Sequence, residues 1–393
     1  MIVSTPCSLN SLLVGLFLLS GLGQAAINLP SSTGPCSVTL HASELVDKSR
    51  TDPYDPTGGK RSIMVTSFTP VNCGSISSAS YIPNATAKYE DAFVQPFGIL
   101  PGTFESLRIQ TQTQPQHSSV YRDYPVVLFS PALGTSRLIY TLLLQEIASH
   151  GFAVVSVDHP YDAGIVEFPD GRTVVGLLGN ITDAEWLPAL DVRVKDVIFL
   201  LDQIHDKSVV RDIFPLSRGA SHTLSLDLDH VPIFGHSLGG ATAAQAMLLD
   251  SRFVGGINLD GELWGSVVDK GLSKPFLIFG HTGHNQTNEA SWASFWSHQR
   301  GWKLELSLAQ SLHYTFSDFP VLVDGISLSD EARQLIQATY AGTIGALRGK
   351  QVVTSYITAA LQYFVSNHTS ELLSGPSTSY PEVTFVTNQL HDI

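Results

Sequence analysis

Hydrophobic runs and amphipathic stretches alternate along the chain from residue 124 onward. Continuous apolar runs are typical of strands that are buried on both faces of a sheet. The runs that predict strands are 125–129, 152–157, 231–234, 253–259, 275–279 and 302–308. Apolar residues at spacings of three and four predict an amphipathic helix over 190–204, and further helices are predicted at 138–150, 331–347 and 351–364. Strands that alternate with helices predict an α/β protein with a mostly parallel, doubly wound sheet.

The pattern changes on both sides of this region, which we delimit as 106–373. Residues 26–105 are rich in Ser, Thr, Pro and Gly, and only 61–70 alternates in the manner of a strand. We interpret 26–105 as an irregular, β-rich extension that packs on the main domain. Gly375 and Pro376 interrupt regular structure, so residues 374–393 are predicted to form a loose C-terminal tail.

The first 25 residues have the features of a secretory signal peptide. Residues 11–19 are a short apolar stretch, and Gly23-Gln24-Ala25 fits a cleavage site. Cleavage would remove Cys7 and leave Cys36 and Cys73, which predicts one disulfide in an oxidising compartment. Four N-x-S/T sequons add to the prediction of a secreted glycoprotein: Asn84, Asn180, Asn285 and Asn367.

Charge and composition narrow the range of partners. The formal net charge is −13, which argues against a nucleic-acid partner. No later stretch reaches the 18 apolar residues of a membrane span. We expect a monomer that needs no cofactor. Contact with a lipid surface is left open, with Trp264, Trp292 and Trp296 as the candidates for such a patch.

The candidate nucleophile lies in Gly235-His236-Ser237-Leu238-Gly239, a G-x-S-x-G pattern. An apolar run precedes it and small residues follow it, so the serine falls on a sharp strand-to-helix turn. This context is that of a nucleophile elbow, in which glycines leave room for a strained turn and the serine hydroxyl is exposed.

A serine nucleophile needs a histidine base and a carboxylate that orients it. In α/β-hydrolases the carboxylate follows the serine along the chain, and the histidine comes last. Asp260 comes at the end of the predicted strand 253–259, and Glu262 and Asp269 are weaker alternatives. His313 follows the last predicted strand and is our preferred base. His281 and His284 are the alternatives.

The oxyanion of an acyl-transfer intermediate needs two backbone N–H donors. Leu238, directly after the serine, supplies one, and the loop after strand 125–129 supplies the other. In that loop Pro131 has no N–H, so we favour Leu133 over Ala132. His281-x-x-His284 has the spacing of a metal-binding pair, but no further ligand cluster supports it, so no metal site is predicted.

Five blocks in one order resemble the platelet-activating-factor acetylhydrolase family of calcium-independent serine phospholipases. They are 128–137, 148–159, 235–240, 258–260 and 312–314, and the resemblance extends over about 60–320. It implies an α/β-hydrolase fold with Ser237 as nucleophile, Asp260 as acid and His313 as base. It also implies Leu133 and Leu238 as amide donors.

The resemblance implies cleavage of short or oxidised sn-2 acyl esters of phospholipids. Pro131-Ala132-Leu133-Gly134 departs from the His-Gly-Leu-Gly of animal members, which bears on substrate choice. Two alternatives remain: a general carboxylesterase or polyester hydrolase, and a catalytically silent binding protein with a hydrolase fold.

Overall fold

A computed structural model of the chain describes residues 25–71, 76–112, 123–178, 181–182, 184–215 and 225–386. The predicted signal peptide therefore lies outside the described residues, except for Ala25. Cys73 and Asn180 also lie outside them. Within the described residues, no helix has both the length and the apolar character needed to cross a bilayer.

The described strands confirm a mostly parallel α/β sheet. Their bounds are β1 (Ile27–Asn28), β2 (Ser37–Thr51), β3 (Lys60–Val71), β4 (Ile76–Ser80), β5 (Leu107–Gln112), β6 (Asp123–Ser130), β7 (Ala153–Asp158), β8 (Ile165–Glu167), β9 (Thr173–Val175), β10 (Ser225–Asp227), β11 (Val231–His236), β12 (Phe253–Leu259), β13 (Phe276–Gly280), β14 (Lys303–Leu308) and β15 (Val383–Phe385). The central sheet runs β15-β14-β13-β12-β11-β6-β7-β3-β2, and β10 pairs with β6. From β14 to β7 all neighbours are parallel.

Helices cover both faces of this sheet. The α-helices are α1 (Asn84–Val94), α2 (Thr103–Ser106), α3 (Thr141–Ser149), α4 (Trp186–His205), α5 (Val210–Ile213), α6 (Leu238–Leu249), α7 (Val267–Lys270), α8 (Ala290–His298), α9 (Phe319–Gly325), α10 (Asp330–Ile336) and α11 (Ala346–Ser366). Val127 and Phe129 of β6 join a core with α3 and α11, whereas Val126 and Leu128 join a second core with α4 and α6. Alternate side chains of a strand point to opposite faces, so the two cores lie on opposite sides of the sheet.

The region predicted as an irregular extension is more regular than expected. β2 and β3 form a long antiparallel hairpin, and β3 pairs antiparallel with β7. Through this pairing the extension supplies two strands of the central sheet. The middle of β3 is buried on both faces. β5, which begins just after the predicted boundary at 105, pairs with β1 and β4 of the extension.

Two predictions near the C-terminus were wrong. The helix predicted over 331–347 is interrupted: α10 ends at Ile336, a π-helical turn spans Gln337–Ala341, and Gly342 and Gly345 both have positive φ. The left-handed backbone that glycine adopts readily ends the helix there. The tail is not loose throughout, because β15 pairs antiparallel with β14.

Parallel strands place their carboxyl ends at one edge of the sheet. The loops after β6, β11, β12, β13 and β14 therefore lie side by side at this edge. In open α/β sheets this edge is where ligands bind.

Candidate active site

Ser237 lies on the strained turn between β11 and α6. Its φ and ψ are 55° and −126°, outside the regions that a serine prefers. The turn is held because the Ser237 N–H donates to Leu259 O at 2.9 Å. A Cβ atom on Gly239 would lie 2.0 Å from Ser130 O, and one on Gly235 would lie 2.2 Å from Gly239 O. The close packing of this turn therefore requires glycine on both sides of the serine.

Asp260 follows β12 in a second turn of the same kind. Its φ is 57°, and its side chain is buried. The side chain of Asn258 shapes this turn by donating to Gly261 O at 2.6 Å and accepting from Gly261 N at 3.0 Å. A Cβ atom on Gly261 would lie 2.0 Å from Ser237 O, so this turn packs directly against the serine.

His313 comes after β14 and contacts Asp260. Its Nδ1 lies 2.5 Å from Asp260 Oδ2. Because an ionised carboxylate can only accept hydrogen bonds, Nδ1 carries the proton in this pair. In the neutral imidazole, Nε2 is then the ring nitrogen with a free lone pair. Ser237, Asp260 and His313 all line one cleft of about 660 Å³.

The two histidines considered as alternative bases contact the same carboxylate. His281 Nδ1 lies 2.7 Å from both oxygens of Asp260, and His284 Nδ1 lies 2.7 Å from Oδ1. Burial of Asp260 favours the neutral acid, but hydrogen bonds from the three histidines outweigh it and hold the pKa of Asp260 well below its ordinary value. Asp260 is therefore an anion shared by three imidazoles.

Asp260, His281 and His313 bring their ligand atoms close enough to be considered as a metal site. The nitrogen–oxygen separations of 2.5 and 2.7 Å are those of hydrogen bonds. Ligands at about 2.1 Å from a tetrahedral zinc ion would lie roughly 3.4 Å apart. The spacing in this group of three thus fits N–H···O contacts better than a shared ion.

The two alternative acids, Glu262 and Asp269, occupy different positions. Glu262 lines the cleft. Asp269 is in α7, where its Oδ1 accepts from Ser294 Oγ at 3.3 Å.

The loop after β6 carries the candidate oxyanion donors. The Ala132 N–H donates to Tyr140 Oη at 3.1 Å, so it is already engaged. The N–H groups of Leu133 and Leu238 find no acceptor among the described residues. Leu238 is the first residue of α6, where backbone N–H groups lack an intrahelical partner.

A buried arginine, which the sequence analysis missed, holds this loop in place. Arg193 Nη1 donates to Pro131 O at 2.7 Å, and its Nε donates to Asp162 Oδ2 at 2.7 Å. Asp162 O in turn accepts from Gly134 N at 3.1 Å. The available signal was a charged residue on the apolar stripe of α4, between Leu190 and Val194.

The residue before Ser237 also contacts the site. His236 is fully buried, its Nδ1 lies 2.8 Å from Tyr140 Oη, and its ring centroid lies 4.5 Å from that of His313. Burial, together with neighbouring His313, holds the pKa of His236 well below its ordinary value, so it packs there as a neutral ring.

The far wall of the cleft carries an aromatic pair. Trp186 and Trp264 stack with ring centroids 5.6 Å apart and planes within 11°. Trp292 and Trp296, named with Trp264 as candidates for a surface patch, instead belong to the core, where Trp292 is fully buried.

The predicted modification sites are spread over the surface and the interior. Asn84 and Asn367 are exposed. Asn285 is half-buried, and its Oδ1 accepts from Thr287. Cys36 is buried, and its predicted partner Cys73 lies outside the described residues, so the disulfide stays a prediction.

One family of known proteins matches two long stretches of the chain. The sequence model described as "Platelet-activating factor acetylhydrolase, isoform II" matches residues 77–168 and 193–331, more than half of the chain. The chain belongs to the platelet-activating factor acetylhydrolase family. This confirms the resemblance found in the five sequence blocks.

Relatives from fungi and mammals agree with this membership. A protein of Arthroderma benhamiae named "probable 1-alkyl-2-acetylglycerophosphocholine esterase" is 32% identical over 385 residues, 91% of this chain and 93% of that protein. A platelet-activating factor acetylhydrolase of Cavia porcellus is 29% identical over 213 residues, 50% of this chain and 49% of that protein.

A solved structure shares the fold. A ferulic acid esterase from Streptomyces cinnamoneus superposes with a TM-score of 0.79 at 29% identity, covering 92% of this chain and 100% of that chain. The chain described in this structure therefore has a fold of the α/β-hydrolase type and is a carboxylic ester hydrolase.

Proposed function

We propose that this protein hydrolyses short or oxidised sn-2 acyl esters of phospholipids, and that Ser237, His313 and Asp260 form its catalytic triad. The observation that carries the proposal is the strained turn of Ser237 in one cleft with the buried Asp260 and its partner His313. The Arthroderma relative, named as a probable 1-alkyl-2-acetylglycerophosphocholine esterase, matches over nearly the full length of the chain and supports an acetyl phospholipid as substrate.

The first stage is acylation. Ser237 Oγ attacks the ester carbonyl while its proton passes to His313 Nε2, the nitrogen left free by the contact of Nδ1 with Asp260. The carbonyl oxygen becomes an oxyanion that accepts from the N–H groups of Leu133 and Leu238. The C–O bond to the glycerol then breaks, and the leaving oxygen takes the proton from His313 to become the hydroxyl of the lysophospholipid.

The second stage is deacylation. Water gives a proton to His313 Nε2 and attacks the acyl carbon of the Ser237 ester. The tetrahedral intermediate collapses, the bond to Ser237 Oγ breaks, and the serine recovers its proton from His313. Asp260 stabilises the imidazolium in both stages through the Nδ1–H···Oδ2 contact.

Secretion with glycosylation is part of the same proposal. The apolar stretch at 11–19 and the exposed sequons Asn84 and Asn367 support it. Expression in a secreting host should give a product that begins near residue 26 and loses mass on treatment with an N-glycosidase.

Esters with aromatic acyl groups form a second candidate class. The stacked Trp186 and Trp264 rings offer a flat apolar wall inside the cleft. The solved structure with 29% identity is that of a ferulic acid esterase.

A substrate panel separates the two classes. It contains 1-alkyl-2-acetylglycerophosphocholine, the same lipid with a long sn-2 chain, methyl ferulate and a soluble aryl acetate. We expect the highest kcat/KM for the acetyl phospholipid and a loss for the long-chain lipid. Preference for methyl ferulate over the acetyl phospholipid would replace the first class by the second.

A further inference from the structure

Asp260 receives hydrogen bonds from two sides of the site. On one side, His281 N and His284 Nδ1 lie 2.9 and 2.7 Å from Oδ1, and His281 Nδ1 lies 2.7 Å from both oxygens. On the other side, His313 Nδ1 lies 2.5 Å from Oδ2. A carboxylate has about four lone-pair positions, and these contacts engage both of its oxygens.

The segment 281–284 is built to hold this position. His284 N donates to His281 O at 3.0 Å, which closes a tight turn after β13. The His284 ring packs on Trp292 at a centroid distance of 4.2 Å. Trp292 Nε1 donates to Gly261 O at 2.7 Å, so the support returns to the turn that carries Asp260. Movement of His284 away from Asp260 would therefore disturb both this turn and the packing on Trp292.

We propose that His281 and His284 are positioning residues that hold Oδ1 of Asp260 so that Oδ2 faces His313. The proposal rests on the triad proposed above. A carboxylate held by one partner can rotate about its Cβ–Cγ bond, whereas one held at both oxygens keeps a fixed orientation. His313 then keeps one tautomer and one ring orientation through the reaction.

His284 also brings a charge to the site. Its Nε2 lies 3.6 Å from Glu289 Oε2, so it stands between two carboxylates. Burial disfavours its cation, but the hydrogen bonds and charges of Asp260 and Glu289 outweigh burial and raise the pKa of His284. The other titratable groups around it are His281 and Glu305, which binds the adjacent Gln286, with His313 across the carboxylate.

The charge on His284 opposes the charge that forms on His313 during the reaction. When His284 is protonated, its positive charge partly neutralises Asp260 and makes a second cation on the same carboxylate less favourable. A neutral residue at position 284 would not oppose this second cation. Removing that charge should move the acid limb of the rate profile upward.

His284→Asn and His284→Leu separate the two effects. Asparagine keeps an N–H donor near the position of Nδ1 but does not titrate, whereas leucine removes both. The measurement is kcat/KM for a soluble aryl acetate from pH 5 to 9, with a thermal midpoint for each variant. His298→Asn, an exposed histidine of α8, is the matched control.

We expect His284→Asn to keep its plateau within about threefold and to move the acid limb upward by on the order of half a pH unit. His284→Leu should lower the plateau by about tenfold or more, because Asp260 loses a donor. His298→Asn should change neither.

Two results would overturn the proposal. One is a plateau and acid limb of His284→Leu that match the wild type, and the other is a downward shift of the acid limb in His284→Asn. Inactivity of Ser237→Ala and His313→Ala in the same assay would show that the triad stands and that only the positioning role has failed. Activity of His313→Ala would instead contradict the triad itself.

Discussion

At the scale of single residues, the site depends on which ring nitrogen of His313 carries the proton. Asp260 is ionised because three imidazole N–H groups stabilise its anion. Since the anion only accepts, it fixes the Nδ1–H tautomer of His313 and leaves Nε2 free to take the proton of Ser237, the proposed nucleophile. An amide in place of Asp260 could donate to Nδ1 and select the opposite tautomer.

Asp260→Asn should therefore lower kcat by about 10³ to 10⁴ while the protein stays folded. The rate on a soluble aryl acetate, with a near-ultraviolet spectrum to check folding, measures this. Asp269→Asn, the same chemical change at an exposed position of α7, is the matched control and should stay within about threefold. A decrease of less than tenfold in Asp260→Asn would remove Asp260 from the role of acid.

At the scale of structural elements, an arginine from a helix on one face of the sheet holds the loop after β6. Arg193 of α4 binds Asp162 with two nitrogens and reaches Pro131 O with a third contact at 2.7 Å. The Arg193 side chain is 1% exposed. This loop carries Leu133, so a displacement of the loop displaces a proposed oxyanion donor.

Arg193→Lys should reduce kcat by roughly tenfold with a smaller effect on KM, because a lysine keeps the charge but not the planar fork. Steady-state kinetics on the aryl acetate would show this division between kcat and KM. Arg252→Lys is the matched control, since Arg252 binds Asp250 through Nε and Nη2 at a half-exposed position. Kinetics of Arg193→Lys equal to those of Arg252→Lys would contradict the role of Arg193 in holding the loop after β6.

The elements themselves were largely predictable, and the contacts between them were not. Apolar runs predicted β6, β7, β11, β12, β13 and β14 but not the short parallel strand β10. Strand order placed Ser237, Asp260 and His313 at one edge. Arg193 contacts Asp162 and Pro131, which lie 31 and 62 positions from it along the chain. Such contacts leave no local period, so only an arginine on an apolar stripe indicates them. The break at Gln337–Ala341 was missed because helical spacing continues through it.

At the scale of the whole molecule, one buried acid joins three distant parts of the chain. Glu146 of α3 accepts from Thr33 N at 3.2 Å and from Lys350 Nζ of α11 at 2.8 Å. Burial alone would favour the neutral acid, but hydrogen bonds from His150, Lys350 and Thr33 outweigh it and lower the pKa of Glu146 to about 2. The N-terminal segment is thus tied to the helices that cover one face of the sheet.

A carboxyl whose pKa is lower in the folded state stabilises the protein above the unfolded pKa, near 4.3 for glutamate. That contribution is lost as the pH falls toward about 2. Glu146→Gln should therefore unfold at lower urea than the wild type at pH 7, and the difference should shrink by pH 3. Urea midpoints at both values measure it. A difference that is the same at pH 3 and pH 7 would contradict this linkage.

The measurement that tests the central claim most directly is acetate release from 1-alkyl-2-acetylglycerophosphocholine by the wild type and by Ser237→Ala. The wild type should release acetate and lysophospholipid in equal amounts. Ser237→Ala should be slower by about 10⁴ to 10⁶, because the nucleophile and its base act as a unit. Hydrolysis that survives in Ser237→Ala at a rate near that of the wild type would contradict the assignment of the active site.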